Sequence, residues 1–169
     1  MPAKEERMKL DSCAEEREKL FAFLRELGIR SFECRNLVCL SSSDRTRIFC
    51  AEDPVFELAL SLYKVGENIY HVGMLLGHIR NNVFIPSLEL GWKLAEIGAI
   101  PHNSIVVLSS ELEREFTFGR TIRLDGKTRF SPEIVAVFNE RNEFLGWARF
   151  SGSSLTPIID VGSYIRFRD

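Results

Sequence analysis

The last third of the chain constrains the fold most, because one short helix there is followed by several short apolar strands. Ser110 to Phe118 reads as a helix ending on Gly119-Arg120, with a glycine where a helix stop belongs. A hairpin around Asp125-Gly126 comes next, followed by the apolar runs Ile134–Phe138 and Phe144–Ala148. The segment Asp160–Arg166 reads as a closing strand. One helix feeding short strands separated by turn residues is the plan of a small closed β-barrel with a lateral helix.

The first part of the chain mixes helices and strands differently. Ser12, with Glu15 three residues on, forms a capping-box pattern, and Leu20, Leu24 and Leu27 repeat at helical spacing before Gly28. A helix from about Cys13 to Leu27 follows. Asn36–Leu40 and Arg45–Cys50 read as a hairpin joined by Ser41-Ser42-Ser43-Asp44. Asp53-Pro54 supplies an N-cap and a first-turn proline for a second helix reaching about Val65. Ile69–Arg80 reads as extended, with Gly66, Gly73 and Gly77 as turn or bulge points. A third helix runs from Ser87 to about Ile97, stopped by Gly98, and Trp92 is assigned to its core side. These elements predict an α+β protein of two lobes, residues 1–93 and 94–169, with no linker-like run between them.

Composition narrows the function. The apolar runs fall far short of the ~18 residues needed to span a bilayer, and the charged N-terminus has no apolar core of a signal peptide. The expectation is a cytoplasmic protein without a membrane partner. Net charge is −2. Residues 1–93 carry 13 basic and 14 acidic side chains and residues 94–169 carry 9 and 10, so neither lobe is basic. Any nucleic-acid contact must come from local clustering of arginines.

Catalytic and metal signatures are weak. Cys13, Cys34, Cys39 and Cys50 could hold zinc or form disulfides, but metal-ligand spacing is missing, and the apolar neighbours of three of them suit buried free thiols. Gly73–His78 lacks the Gly-Lys-Ser/Thr ending of a phosphate loop. With three histidines and no Gly-x-Ser-x-Gly elbow, no nucleophile–base pair stands out. Glu111, Glu113 and Glu115 suit the start of their helix rather than acid–base chemistry. The expectation is no enzyme, no catalytic residue, no metal and no cofactor.

The arginines of the last third carry the binding reading. A three-residue loop, Asp125-Gly126-Lys127, pairs Ile122 with Phe130 on the apolar face and sets Arg123 opposite Arg129 outside. Like charges in that position repel unless an anion lies over them; splaying into water is the alternative. On the closing segment, alternation puts Tyr164, Arg166 and Arg168 on one face, a pattern that can stack a base and hold phosphates. The candidate RNA-binding set is Arg120, Arg123, Lys127, Arg129, Tyr164, Arg166 and Arg168.

Taken in order, Val72–Arg80, Pro86–Glu89, Phe116–Arg120, Val135–Phe138, Leu145-Gly146 and Asp160–Arg166 resemble the NIP-seven-like ribosome biogenesis factors of archaea and eukaryotes. The last third resembles their PUA domain, an RNA-binding barrel. The resemblance implies an N-terminal antiparallel sheet with helices, packed against a C-terminal PUA-type β-barrel. It also implies a non-catalytic role in pre-rRNA processing and large-subunit assembly, with precursor rRNA or other single-stranded RNA and other assembly factors as partners. Archaeal members carry a basic segment before the closing strand, whereas Ser153–Ile159 holds no positive charge. That departure keeps open a second reading, a protein–protein adaptor that docks other assembly factors with little RNA contact.

Overall fold

The computed structural model describes residues 7–9, 13–124 and 132–166. The Asp125-Gly126-Lys127 loop, Arg129, Arg168 and the Ser12 cap lie outside the described residues. The chain divides into two compact units, one of residues 1–23 and 31–90, the other of residues 24–30 and 91–169.

Helix α1 (Ala14–Glu26) ends as the sequence predicts. Gly28 N–H and Ile29 N–H return to the carbonyls of Arg25 and Leu24, closing the last turn. Strands β2 (Asn36–Ser41), β3 (Thr46–Ala51), β4 (Met74–Arg80) and β5 (Val83–Pro86) form an antiparallel sheet, and the short strand β1 (Arg7–Lys9) pairs with the edge of β2. The β2–β3 hairpin forms as expected, but it pairs Ser41 with Thr46, so its turn covers residues 42–45, one position later than the sequence reading. A register shift between Ile48 and Phe49 faces Leu75–Gly77, so the glycine-rich run is a bulged strand. Val38, Leu40, Phe49, Ala51, Ile69 and Val72 form the core under this sheet. Burial of each large side chain contributes roughly 1.5–3 kcal/mol.

Several local expectations fail for identifiable reasons. Helix α2 (Asp53–Lys64) is capped by Glu52 without a side-chain bond, and Asp53 is already helical. The Asp53 carboxylate accepts from Asn36 Nδ2 at 2.8 Å and Arg35 Nη1 at 2.7 Å, bonds that hold its pKa below the usual carboxylate value. The four cysteines are disulfide-bonded, not free: Cys13 pairs with Cys39 and Cys34 with Cys50, with Cα–Cα separations of 6.0 and 5.6 Å. Trp92 on α3 (Leu88–Glu96) is exposed, because Leu90 and Leu94 take the buried face and a residue midway between them points away.

The second unit holds α4 (Ser110–Thr117) and a five-stranded sheet in the order β6-β8-β9-β10-β7. The strands are β6 (Ile105–Leu108), β7 (Ile122–Arg123), β8 (Ile134–Asn139), β9 (Phe144–Ser151) and β10 (Ser154–Asp160). The parallel β6–β8 pair and the antiparallel remainder curl into a half-barrel, open between β6 and β7 among the described residues. Phe116 from α4 is fully buried against Val106, Leu108, Ile122, Val135, Val137, Leu145 and Leu155. Trp147 is fully buried beside Phe144, as its apolar strand predicts.

The closing strand is the main correction to the sequence reading. Ser154–Asp160, which takes in most of the segment expected to precede it, is itself the strand β10, and Ser163–Arg166 is a short helical turn, α5. The strand stops because Asp160 Oδ1 accepts the Gly162 N–H at 2.8 Å and its carbonyl accepts from Ser163 Oγ at 2.6 Å. Those bonds turn the backbone, and alternation of side chains ends there.

Candidate functional site

At one end of the half-barrel, the turn after α4, the end of β10 and α5 enclose a cleft of about 470 Å³. Pro157, Ile158 and Ile159 give it a half-buried apolar wall, and Tyr164 stands exposed at its margin. The wall exists because β10 shifts register against β9 between Pro157 and Ile159, so Ile158 is an extra residue in the strand.

Arg166 builds the cleft rather than simply lining it. Its guanidinium donates to both Asp160 oxygens, at 3.0 Å from Nη1 and 2.6 Å from Nη2, and Nη1 also donates to the Thr117 carbonyl at the end of α4. The Asp160 side chain is buried, at 2 % exposed, and the Arg166 side chain is 30 % exposed. Bonding to Asp160 raises the Arg166 pKa above its ordinary value, so its guanidinium is a cation at any physiological pH. One side chain thus ties α5, β10 and α4 together.

Two glycines permit this approach. Gly119 follows α4 with φ +77°, as the helix stop predicts, and a Cβ there would sit 3.1 Å from Arg166 Nη2. At Gly162 a Cβ would run into the Thr117 carbonyl, so only glycine allows α5 to approach the end of α4 there.

Of the remaining described candidates, Arg120 follows Gly119 at the cleft, whereas Arg123 lies at the opposite end of β10 from it; the others lie outside the described residues. Arg120 pairs with Glu115 at 2.7 Å and lies 5.9 Å from the centre of the Phe118 ring. Arg114 approaches the same exposed ring at the same distance. Arg123 is exposed on β7 opposite Ser154, and Thr121 and Thr156 lie together at 3.3 Å. The juxtaposition of Arg123 with Arg129 falls outside the described residues, as do Lys127 and Arg168. Tyr164 and Arg166 sit on the helical turn α5 rather than on a strand.

The sequence reading missed Arg114, Phe118 and the Pro157–Ile159 wall. The four-residue spacing of Arg114 and Phe118 on a helix was the available signal for the first two. The wall had none, since it depends on a bulge.

A helix leading into a curled five-strand sheet, with its cleft at the helix-stop glycine, is an arrangement that can be compared with known families. Residues 104–169 match the UPF0113 PUA domain. That match covers the C-terminal lobe alone and suggests RNA binding. None of the curated proteins compared with the chain matches it. In the PUA lobe the cleft combines an apolar wall, an exposed tyrosine and flanking guanidiniums. Such a set suits an unstacked base and its phosphates better than a polar small molecule. Among the described residues, no helix is long and apolar enough to cross a membrane.

Proposed function

We propose that this protein is a non-catalytic RNA-binding factor of large ribosomal subunit assembly, acting in the cytoplasm during pre-rRNA processing. The observation that carries the RNA part is the match of residues 104–169 to a PUA domain, on the lobe that holds the Gly119–Tyr164 cleft. The assembly role rests on the ordered resemblance of Val72–Arg80, Phe116–Arg120 and Asp160–Arg166 to the NIP-seven-like factors. In this reading single-stranded RNA crosses the cleft mouth. Tyr164 and the apolar wall take a base, and Arg120, Arg123, Lys127, Arg129 and Arg168 meet the backbone. Arg166 contributes by holding the cleft in shape, because three of its five N–H donors go to Asp160 and the Thr117 carbonyl.

The test is binding of fluorescently labelled single-stranded RNA over a salt series. Three or four phosphate contacts correspond to a log–log salt slope of roughly 2 to 3. Replacing Arg120 and Arg123 together by Ala lowers that slope by about one to one and a half. Tyr164→Ala weakens binding with the slope unchanged, since stacking releases no counterions.

A second reading has its own support. The wall positions Pro157, Ile158 and Ile159 are uncharged, and the chain as a whole is slightly acidic. Those features suit an adaptor that docks other assembly factors. Absence of RNA binding even at low salt refutes the first reading and leaves the adaptor.

A further inference from the structure

Strands β3 and β4 gather cations on one face of the first sheet. Their register sets Arg47 opposite His78 and Thr46 opposite Ile79, so Arg45, one residue earlier, comes level with Arg80 at the end of β4. Alternation puts Arg45 and Arg47 on the same face as Arg80 and His78. The four form two cross-strand pairs, about 7 Å apart along the strands and about 5 Å across them. The outer pair, Arg45 and Arg80, is exposed, and the inner pair is half-buried. The Arg47 guanidinium lies 5.6 Å from the centre of the Phe49 ring.

Like charges directly opposite one another destabilise a sheet. Among the described residues, Arg45 and Arg80 form no ion pair and no side-chain hydrogen bond. Asp44 is the carboxylate near both, and it already accepts from Ser42 Oγ at 2.9 Å. On its other side Arg45 borders Glu15, Glu16 and Lys19, where Glu15 is bonded to Lys19 at 2.7 Å. The two arginines, after burial, lower the pKa of His78, with Asp44 opposing them. This face is therefore positive in a lobe whose charges otherwise balance.

We propose that the face is a second RNA contact, outside the PUA lobe, in which Arg45 and Arg80 clamp one backbone phosphate with Arg47 and His78 behind it. This rests on the RNA-binding reading and extends it to the first unit. A phosphate between the outer pair turns a repulsion into two attractions, and the planar forks of two guanidiniums match its oxygens. The pair stands between two hairpin turns, Ser42–Arg45 and Asn81-Asn82, at one end of the sheet. Ser43 and both asparagines are exposed there, so the site is open and suits a chain passing over it. Such a contact positions RNA without reading its sequence.

Binding of fluorescently labelled single-stranded RNA to the full chain over a salt series tests this. Each phosphate neutralised contributes about 0.7 to the log–log salt slope. Arg45→Gln with Arg80→Gln should lower the slope by about that amount and weaken binding severalfold at low salt. The same variant should melt no lower than the parent, since it removes a like-charge pair. By NMR, the His78 imidazole of the parent should titrate at higher pH once RNA is bound, because the phosphate offsets the cations beside it. The variant should show no such RNA-dependent rise.

Arg120→Ala with Arg123→Ala is the comparison. If that pair lowers the slope while Arg45→Gln with Arg80→Gln leaves affinity, slope and the His78 response unchanged, the PUA contact stands and this one falls. A parent that binds no RNA overturns both. A His78 response to poly-glutamate and not to RNA assigns the face to an acidic protein partner and overturns the proposal as well.

Discussion

Replacing Arg166 by Ala is the sharpest probe of how the C-terminal lobe is held together. The change removes both donors to Asp160 and the donor to the Thr117 carbonyl. Asp160 then keeps the Gly162 N–H at 2.8 Å, and in the parent its side chain is only 2 % exposed. Leaving one member of a buried ion pair unpaired costs about 3–5 kcal/mol. Loss of a single hydrogen bond to a charged group costs about 1.5–3. Arg166 is itself 30 % exposed, and water can reach the vacated site, so the expected loss is about 3 kcal/mol, where the two ranges meet. For a chain of 169 residues that corresponds to a fall in Tm of roughly 6–12 °C. Calorimetry or thermal circular dichroism reads it directly. Adding Asp160→Asn to the Ala variant removes the stranded charge and should recover more than about 1 kcal/mol. Two results refute the reasoning: a single variant that melts like the parent, or a second substitution that recovers nothing.

Further outcomes follow from other parts of the structure. Gly119→Val places a β-branched residue at φ +77° against the Arg166 guanidinium and should destabilise by about 1–2 kcal/mol, read by urea denaturation; an unchanged midpoint contradicts it. The disulfides close spans of 16 and 26 residues, so removing Cys34–Cys50 or Cys13–Cys39 by paired Ala substitutions should cost about 3 or about 3.5 kcal/mol, respectively. A parent whose Tm is the same with and without reductant argues against both bonds. His78 on β4 has its pKa lowered, first by burial and then by Arg45 and Arg80, with Asp44 opposing. Below about pH 6.5 the unfolded chain binds a proton that the folded one resists, so stability falls as pH drops through that point and levels off below the folded pKa. His78→Gln should lose less stability than the parent between about pH 7 and pH 5, and parallel curves would contradict the assignment.

Local signals in the sequence determined most of the elements. The leucine stripe and Gly28 end α1, Ser87 caps α3 through its bond to the Leu90 N–H, and Gly119 stops α4. Each depends on neighbours within a few residues, so the chemistry is complete in the linear chain. The PUA-like order of helix and strands was legible for the same reason. Tertiary structure decided what depends on distant partners. Four cysteines allow three pairings, and only the packing of the first unit brings Cys13 to Cys39 and Cys34 to Cys50. The bulge in β10 and the turn at Asp160 replaced an expected alternating strand, because the Asp160 bonds to Gly162 and Ser163 outweigh the side-chain pattern. Arg166 reads as an outward-facing cation in sequence. In the fold it faces inward, because a buried carboxylate six residues back and a helix-end carbonyl 49 residues back converge on it.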